Sequence, residues 1–316
     1  MSTAQDAASL ETLRAELRRA ACDALQAGAE LVLGWGPGPD PATLAPLFAA
    51  SPGECAALDF GPGAVQNLAG HLRALAGRKV AVCVKGCDSR SVAQLLAEGL
   101  LRREELVLIG LPCAGVLDRT RLAPGAPAPG DWACAAPDEL LDPRCLRCRF
   151  PNPVLADVTI GPGRAPREPE GGPHADLDAF LARPVEERFR HWERELGRCL
   201  RCYACRNACP LCVCRDHCLA ETRRPGWLSQ SSSVREKLLF QVIHAVHTAG
   251  RCTECGQCQR ACPVDIPVLT LKRVLAREAE ALFGHVAGTD PAQVPPLLTF
   301  RAEEPTIPDH GAEEGR

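Results

Sequence analysis

Eight cysteines fall into two runs of one pattern, Gly197-Arg-Cys-Leu-Arg-Cys-Tyr-Ala-Cys-Arg-Asn-Ala-Cys-Pro210 and Gly250-Arg-Cys-Thr-Glu-Cys-Gly-Gln-Cys-Gln-Arg-Ala-Cys-Pro263. Each reads C-x-x-C-x-x-C-x-x-x-C-P, a spacing on which thiolates take up a 4Fe–4S cubane. A cubane asks for one thiolate per iron, and the two-residue gaps let three successive side chains converge on it. The proline after the fourth cysteine cannot continue the loop's hydrogen bonding, so that cysteine swings away. In two-cluster loops it ligates the other cluster. Crossed ligation then assigns Cys199, Cys202, Cys205 and Cys262 to one 4Fe–4S cluster, and Cys252, Cys255, Cys258 and Cys209 to a second. Zinc fits less well, because its sites favour two C-x-x-C knuckles over a quartet ending in proline. The chemistry implied is one-electron transfer.

A third constellation is looser. Cys87 and Cys113 each fall just past an apolar run that reads as a buried strand, Lys79–Lys85 and Glu105–Gly110. In open α/β sheets the carboxyl ends of the strands are where ligands bind. Cys145 and Cys148 follow with the two-residue gap that metals favour. On the residues alone, two buried cysteines and a stray C-x-x-C remain the plainer alternative. Cys212, Cys214 and Cys218 lie beyond the first run without an evident fourth partner, and Cys134 is a spare ligand near the third set. Cys83 reads as core, while Cys22 and Cys55 have no companions in sequence. Arg198 and Arg251 precede the first cysteine of each run, where they either raise a cluster's potential or cap the preceding helix. His191, His244 and His247 sit in helices without metal spacing.

The elements that would position these residues divide the chain. Residues 1–165 read as α/β: an amphipathic helix over Met1–Gly28, a short strand over Ala29–Gly34, and a strand–helix–strand unit whose helix spans Ser89–Leu101. That unit implies a right-handed parallel crossover and a short parallel sheet. Neither Gly34-Trp-Gly-Pro-Gly-Pro39 nor Gly61-Pro-Gly63 completes a dinucleotide fingerprint, and both read as loops. From 176 to 284 the pattern is mainly α-helical, a dicluster domain. Pro184 opens one helix and Gly197 closes it; Ser233-Val-Arg-Glu236 is a capping box for another, with Leu239, Val242, Ile243 and Val246 as its apolar face. A last helix runs from Pro267 to Leu282 and ends at Gly284. The repeated motif implies a duplicated helix–loop–helix unit. Residues 285–316 are proline-rich and acidic, and read as a disordered tail.

With 316 residues the chain can hold two or three domains, and its net charge of −3 gives no field for nucleic acid. Nineteen cysteines grouped at metal spacing, no leader and no run of about 20 apolar residues point to a reducing cytoplasm without a transmembrane segment.

Two resemblances extend this reading. The long helical insertion between the motifs resembles the α-helical ferredoxin domain of the small heterodisulfide reductase subunit and of succinate dehydrogenase iron–sulfur subunits. Lys85-Gly-Cys-Asp-Ser-Arg90, Leu108-Ile-Gly-Leu-Pro-Cys-Ala-Gly115, Cys145-x-x-Cys148 and Ala156-Asp-Val-Thr-Ile-Gly161 look like the ordered elements of the beta-subunit family of deazaflavin-dependent hydrogenases and dehydrogenases. That resemblance implies that Cys87, Cys113, Cys145 and Cys148 hold a third 4Fe–4S cluster. It further implies redox partner subunits of the heterodisulfide reductase, hydrogenase or formate dehydrogenase kind. The chain departs from that family in carrying its ferredoxin module after the core, and FAD contacts do not carry over. The function expected is an iron–sulfur electron-transfer subunit of an oxidoreductase complex. The alternative is a flavin-containing subunit that exchanges electrons with a deazaflavin or NAD(P)H and feeds the clusters.

Overall fold

The computed structural model describes residues 9–128, 137–214, 218, 229 and 231–300. Strands β1 (Leu31–Pro37), β2 (Leu44–Ala49), β3 (Val80–Val84), β4 (Leu106–Gly110) and β5 (Val158–Thr159) form one sheet in the order β2-β1-β3-β4-β5. All neighbours pair in parallel except β1 and β2. Every residue of β3 is buried, as its unbroken apolar run requires of a central parallel strand. Helix α1 (Leu10–Gln26) starts at Ser9, whose hydroxyl accepts from the Thr12 amide, and buries Leu13, Leu17, Ala21 and Ala24 on one face. Between β3 and β4 lies α2 (Gly86–Ala97), the helix of the expected crossover. The parallel sheet is as expected; the hairpin β1–β2 is not.

Gly34 to Pro37 belongs to β1, not to a loop. Its glycines make room rather than turns. A Cβ at Gly34 would lie 2.4 Å from Leu58 Cδ2, and one at Gly36 would lie 3.0 Å from Leu47 Cδ2. Strand β2 carries Pro46, which a sheet tolerates because β2 is its edge.

The second half contains α3 (Ala175–Leu181), α4 (Val185–Gly197), α5 (Val234–Val246) and α6 (Val268–Phe283). Pro184 precedes α4, the Ser233 hydroxyl accepts from the Glu236 amide at the start of α5, and Gly284 ends α6 at φ 61°. Leu196, Phe240, Ile266 and Leu269 pack with the cysteines into a small core. The face that α5 buries differs from expectation. Leu239, Val242 and Val246 are 39, 43 and 52 % exposed, whereas Lys237, Phe240, Gln241 and His244 point inward. The interior they meet includes cysteine sulfurs, which accept from N–H donors: Gln241 Nε2 donates to Cys205 Sγ at 3.7 Å.

The two halves interlock. Buried Arg90 of α2 donates to the carbonyls of Ala287 (2.8 and 3.1 Å) and Thr253 (3.1 Å). Arg149 forms a two-pronged pair with Glu280 at 2.7 and 2.9 Å. The first residues of the expected tail take part: His285 and Ala287 are buried, and a Cβ at Gly288 would lie 2.1 Å from the Arg90 carbonyl oxygen. Proline and acidic content hid this docking; the rest of the tail, 301–316, lies outside the described residues. Among the described residues no helix is long and apolar enough to cross a membrane.

Candidate metal centres

Both cysteine loops follow a helix and share one backbone course. Arg201 and Tyr203 flank Cys202 with φ of 53° and 60°; Glu254 and Gly256 flank Cys255 with φ of 56° and 70°. Left-handed backbone on both sides of the second cysteine turns the chain back on itself. The amides then face inward. The Arg201 amide donates to Cys199 Sγ at 3.3 Å, and the Ile266 amide to Cys262 Sγ at 3.4 Å. Cys199, Cys202, Cys205 and Cys262 line one small cavity together with Phe240 and Gln241.

Cys209 lies on the other side, with the second loop. Burial pushes the Cys258 thiol up to about 12 and also raises Cys252 and Cys255, and the Cys209 sulfur adds to each rise. Lys272 of α6 opposes the rise at Cys252 and Cys258. Its ammonium is buried 3.8 Å from Cys209 Sγ and 3.0 Å from His244 Nε2. Burial opposes the Lys272 charge, yet the surrounding sulfurs hold its pKa above the ordinary lysine range. Burial first, then the Lys272 ammonium, lowers the His244 imidazole to about 3.

The third set gathers at the carboxyl ends of β3 and β4. Cys87, Cys113, Cys145 and Cys148 all line one cavity of about 330 Å³. Cys87 sits in the first turn of α2, and Cys145 opens the short turn Cys145–Arg147. A Cβ at Gly86 would lie 1.8 Å from the Phe150 carbonyl oxygen, so only glycine lets the Cys87 turn close against the chain after Cys148. Amides of Gly115 and Val116 donate to Cys113 and Cys145 at 3.3 and 3.4 Å. Burial pushes Cys113 up to about 12 and raises Cys87 and Cys148. A metal centre there would displace thiol protons on binding. The donor set, four sulfurs with inward amides, fits an iron–sulfur cluster. Thr253 and Glu254 of the second cysteine loop form part of the same wall, as do Lys85, Arg90 and Arg144.

Among the described residues the remaining cysteines do not gather into a further site. Cys218 packs in the helical core, Cys212 lies beside Cys209, and Cys214 is exposed. Cys83 is buried in β3, while Cys134 falls outside the described residues. Cys22 and Cys55 do have company: each other, through a side-chain hydrogen bond. Arg251 caps α5 through the His247 carbonyl at 3.0 Å and pairs with Glu98, whereas Arg198 donates to the Val264 carbonyl at 2.6 Å. Lys272 and Arg144 carried no motif, and Arg90 only closed the Lys85–Arg90 element without a role of its own. One signal was available. In this arginine-rich chain lysine occurs only at 79, 85, 237 and 272, and the last three are buried.

Residues 195–266, which hold all eight cysteines of the two loops, match the family described as "4Fe-4S dicluster domain". The chain is also 30 % identical over 125 residues to the "F420-dependent formate dehydrogenase subunit beta" of Methanocaldococcus jannaschii, a stretch covering 38 % of this chain and 32 % of that protein. It is 31 % identical over 117 residues to the "F420-dependent formate dehydrogenase 1 subunit beta" of Methanococcus maripaludis, covering 36 % and 29 %. The chain thus matches about a third of the length of these relatives. The dicluster match and the loop geometry make iron–sulfur electron transfer the chemistry of the helical half.

Proposed function

We propose that this chain is the iron–sulfur subunit of an oxidoreductase complex of the formate dehydrogenase, hydrogenase or heterodisulfide reductase type, passing single electrons between three 4Fe–4S clusters and its partner subunits. The observation that carries it is the convergence of Cys87, Cys113, Cys145 and Cys148, far apart in sequence, on one cavity whose wall includes the loop of Cys252 and Cys255. In this reading Cys199, Cys202, Cys205 and Cys262 hold one cluster, Cys252, Cys255, Cys258 and Cys209 the second, and the cavity cysteines the third. The clusters supply reversible one-electron storage. The chain orients the sulfurs, donates amides to them and keeps water away. Anaerobically purified protein should contain about twelve irons per chain. About eight would leave only the helical half loaded, and stoichiometric zinc would sink the reading.

A second reading is favoured by the arginines of the cavity. Arg147, Arg164 and Arg167 line it beyond the cysteines, a lining suited to the phosphates of a cofactor such as FAD. Flavin released from the full chain on denaturation would make it an oxidoreductase subunit that accepts hydride from a deazaflavin or NAD(P)H.

A further inference from the structure

The two cysteine loops share their backbone but differ in the residue after the second cysteine, and there the second loop abuts Arg144 of the cavity wall. After its second cysteine the first loop has Tyr203; the second has Gly256. A Cβ at Gly256 would lie 2.7 Å from Cδ of Arg144. The missing side chain is therefore the space through which the Arg144 stem passes. Arg144 immediately precedes Cys145, its side chain is 7 % exposed, and it forms part of the cavity wall. Its Nη2 donates to the Val65 carbonyl at 3.1 Å, while Nη1 is buried with no hydrogen-bond partner. Asp142 lies 3.6 Å from Nε, but that carboxylate is shared with Arg260 at 3.4 Å, so the trio retains a net positive charge. Burial opposes the Arg144 charge. Asp142, then Cys145 and Cys87 on one side and Cys255 on the other, hold its pKa above the ordinary arginine range.

We propose that Arg144 is a positioning residue shared by two clusters: its guanidinium, held between the cavity cysteines and the loop of Cys255, raises the reduction potential of both. The inference rests on the third cluster of the preceding section. A buried cation favours whichever neighbour gains the electron, because reduction adds one negative charge to a cluster in a low-dielectric setting. One cation between two clusters brings their potentials up together. The cluster at Cys199, Cys202, Cys205 and Cys262 has Tyr203 where the cation would enter and is left out.

The test is a redox titration of the full chain, followed by paramagnetic resonance with iron counted in each sample. Arg144→Gln should lower the reduction equilibrium of the cavity cluster and of the Cys252, Cys255, Cys258 cluster by about tenfold each, ~59 mV for one electron. Iron content and the remaining cluster should not change. Asp142→Asn should move the same two upward, and Arg144→Lys should stay close to wild type. If Arg144→Gln fails to load iron, Asp142→Asn decides alone. A shift confined to one cluster, or equal in all three, overturns the inference while leaving the third cluster standing. Eight irons in the wild type overturns both.

Discussion

Arg90→Met tests the interlock of the two halves. Arg90 is 5 % exposed and reaches from α2 to two carbonyls of the helical half, Ala287 through Nε and Nη2 and Thr253 through Nη1. Its guanidinium also lies 4.3 Å from the centroid of Phe150. Methionine keeps most of the apolar stem and removes every donor. Two buried carbonyls left unsatisfied cost about 1–3 kcal/mol each. The lost contact with the ring adds about 1 kcal/mol. Against this stands the desolvation of the arginine charge, which burial disfavours and which the variant no longer bears. The carbonyls outweigh it, because among the described residues no other donor reaches them, leaving a net loss of about 3 kcal/mol. Urea unfolding of cluster-loaded protein, followed by the loss of visible absorbance, reads this as a lower midpoint at unchanged slope. Arg90→Lys, with one donor group for two carbonyls, should fall between. A loss below about 1 kcal/mol for the methionine variant would show that the halves do not depend on this arginine.

Cys209→Ser should alter the paramagnetic signal of the cluster at Cys252, Cys255 and Cys258, and Cys262→Ser that of the cluster at Cys199, Cys202 and Cys205; the reverse pattern would refute crossed ligation. Lys272→Met should lower the potential of the Cys209 cluster most, by ~100 mV if one charge about 6 Å from the cluster acts through an effective dielectric near 20, and that of the other cluster less, through Cys205; an equal fall at both would refute it. Cys83 offers a pH test. Burial, with Asp88 nearby, pushes its thiol up to about 12, against about 8.5 when unfolded. A raised pKa means that its contribution is fully present below about 8.5 and is lost as pH climbs toward 12. Cys83→Val should therefore lose less stability across that window than wild type, and parallel alkaline slopes in thermal unfolding would contradict this.

The clusters of the helical half were legible because their ligands come in runs, and the run itself encodes the loop. The capping signals of α4, α5 and α6 were local and equally plain. The N-terminal site needed the sheet: Cys87 and Cys113 become neighbours only when β3 and β4 pair in parallel register. What pattern reading missed lay where tertiary contact overrides local preference. Gly34 and Gly36 look like turn residues but sit in β1 because Leu58 and Leu47 occupy the space above them. The apolar stripe of α5 looked like a core face, yet the core it meets carries cysteine sulfurs, and Lys237, Gln241 and His244 share that side with Phe240. Arg144 and Lys272 belong to no motif, since a charge acquires its role from what surrounds it in space.

The sheet has two ends, and neither can be extended. At one, Pro46 lacks the amide that an added strand would need; at the other, β5 is only two residues long. Strand addition, a common way for one chain to recruit another, is closed to this half of the molecule. Under the proposed function, a subunit that receives its electrons would read side chains rather than backbone, with recognition left to helix faces and loops, where specificity can change without disturbing the strand ends that hold Cys87 and Cys113.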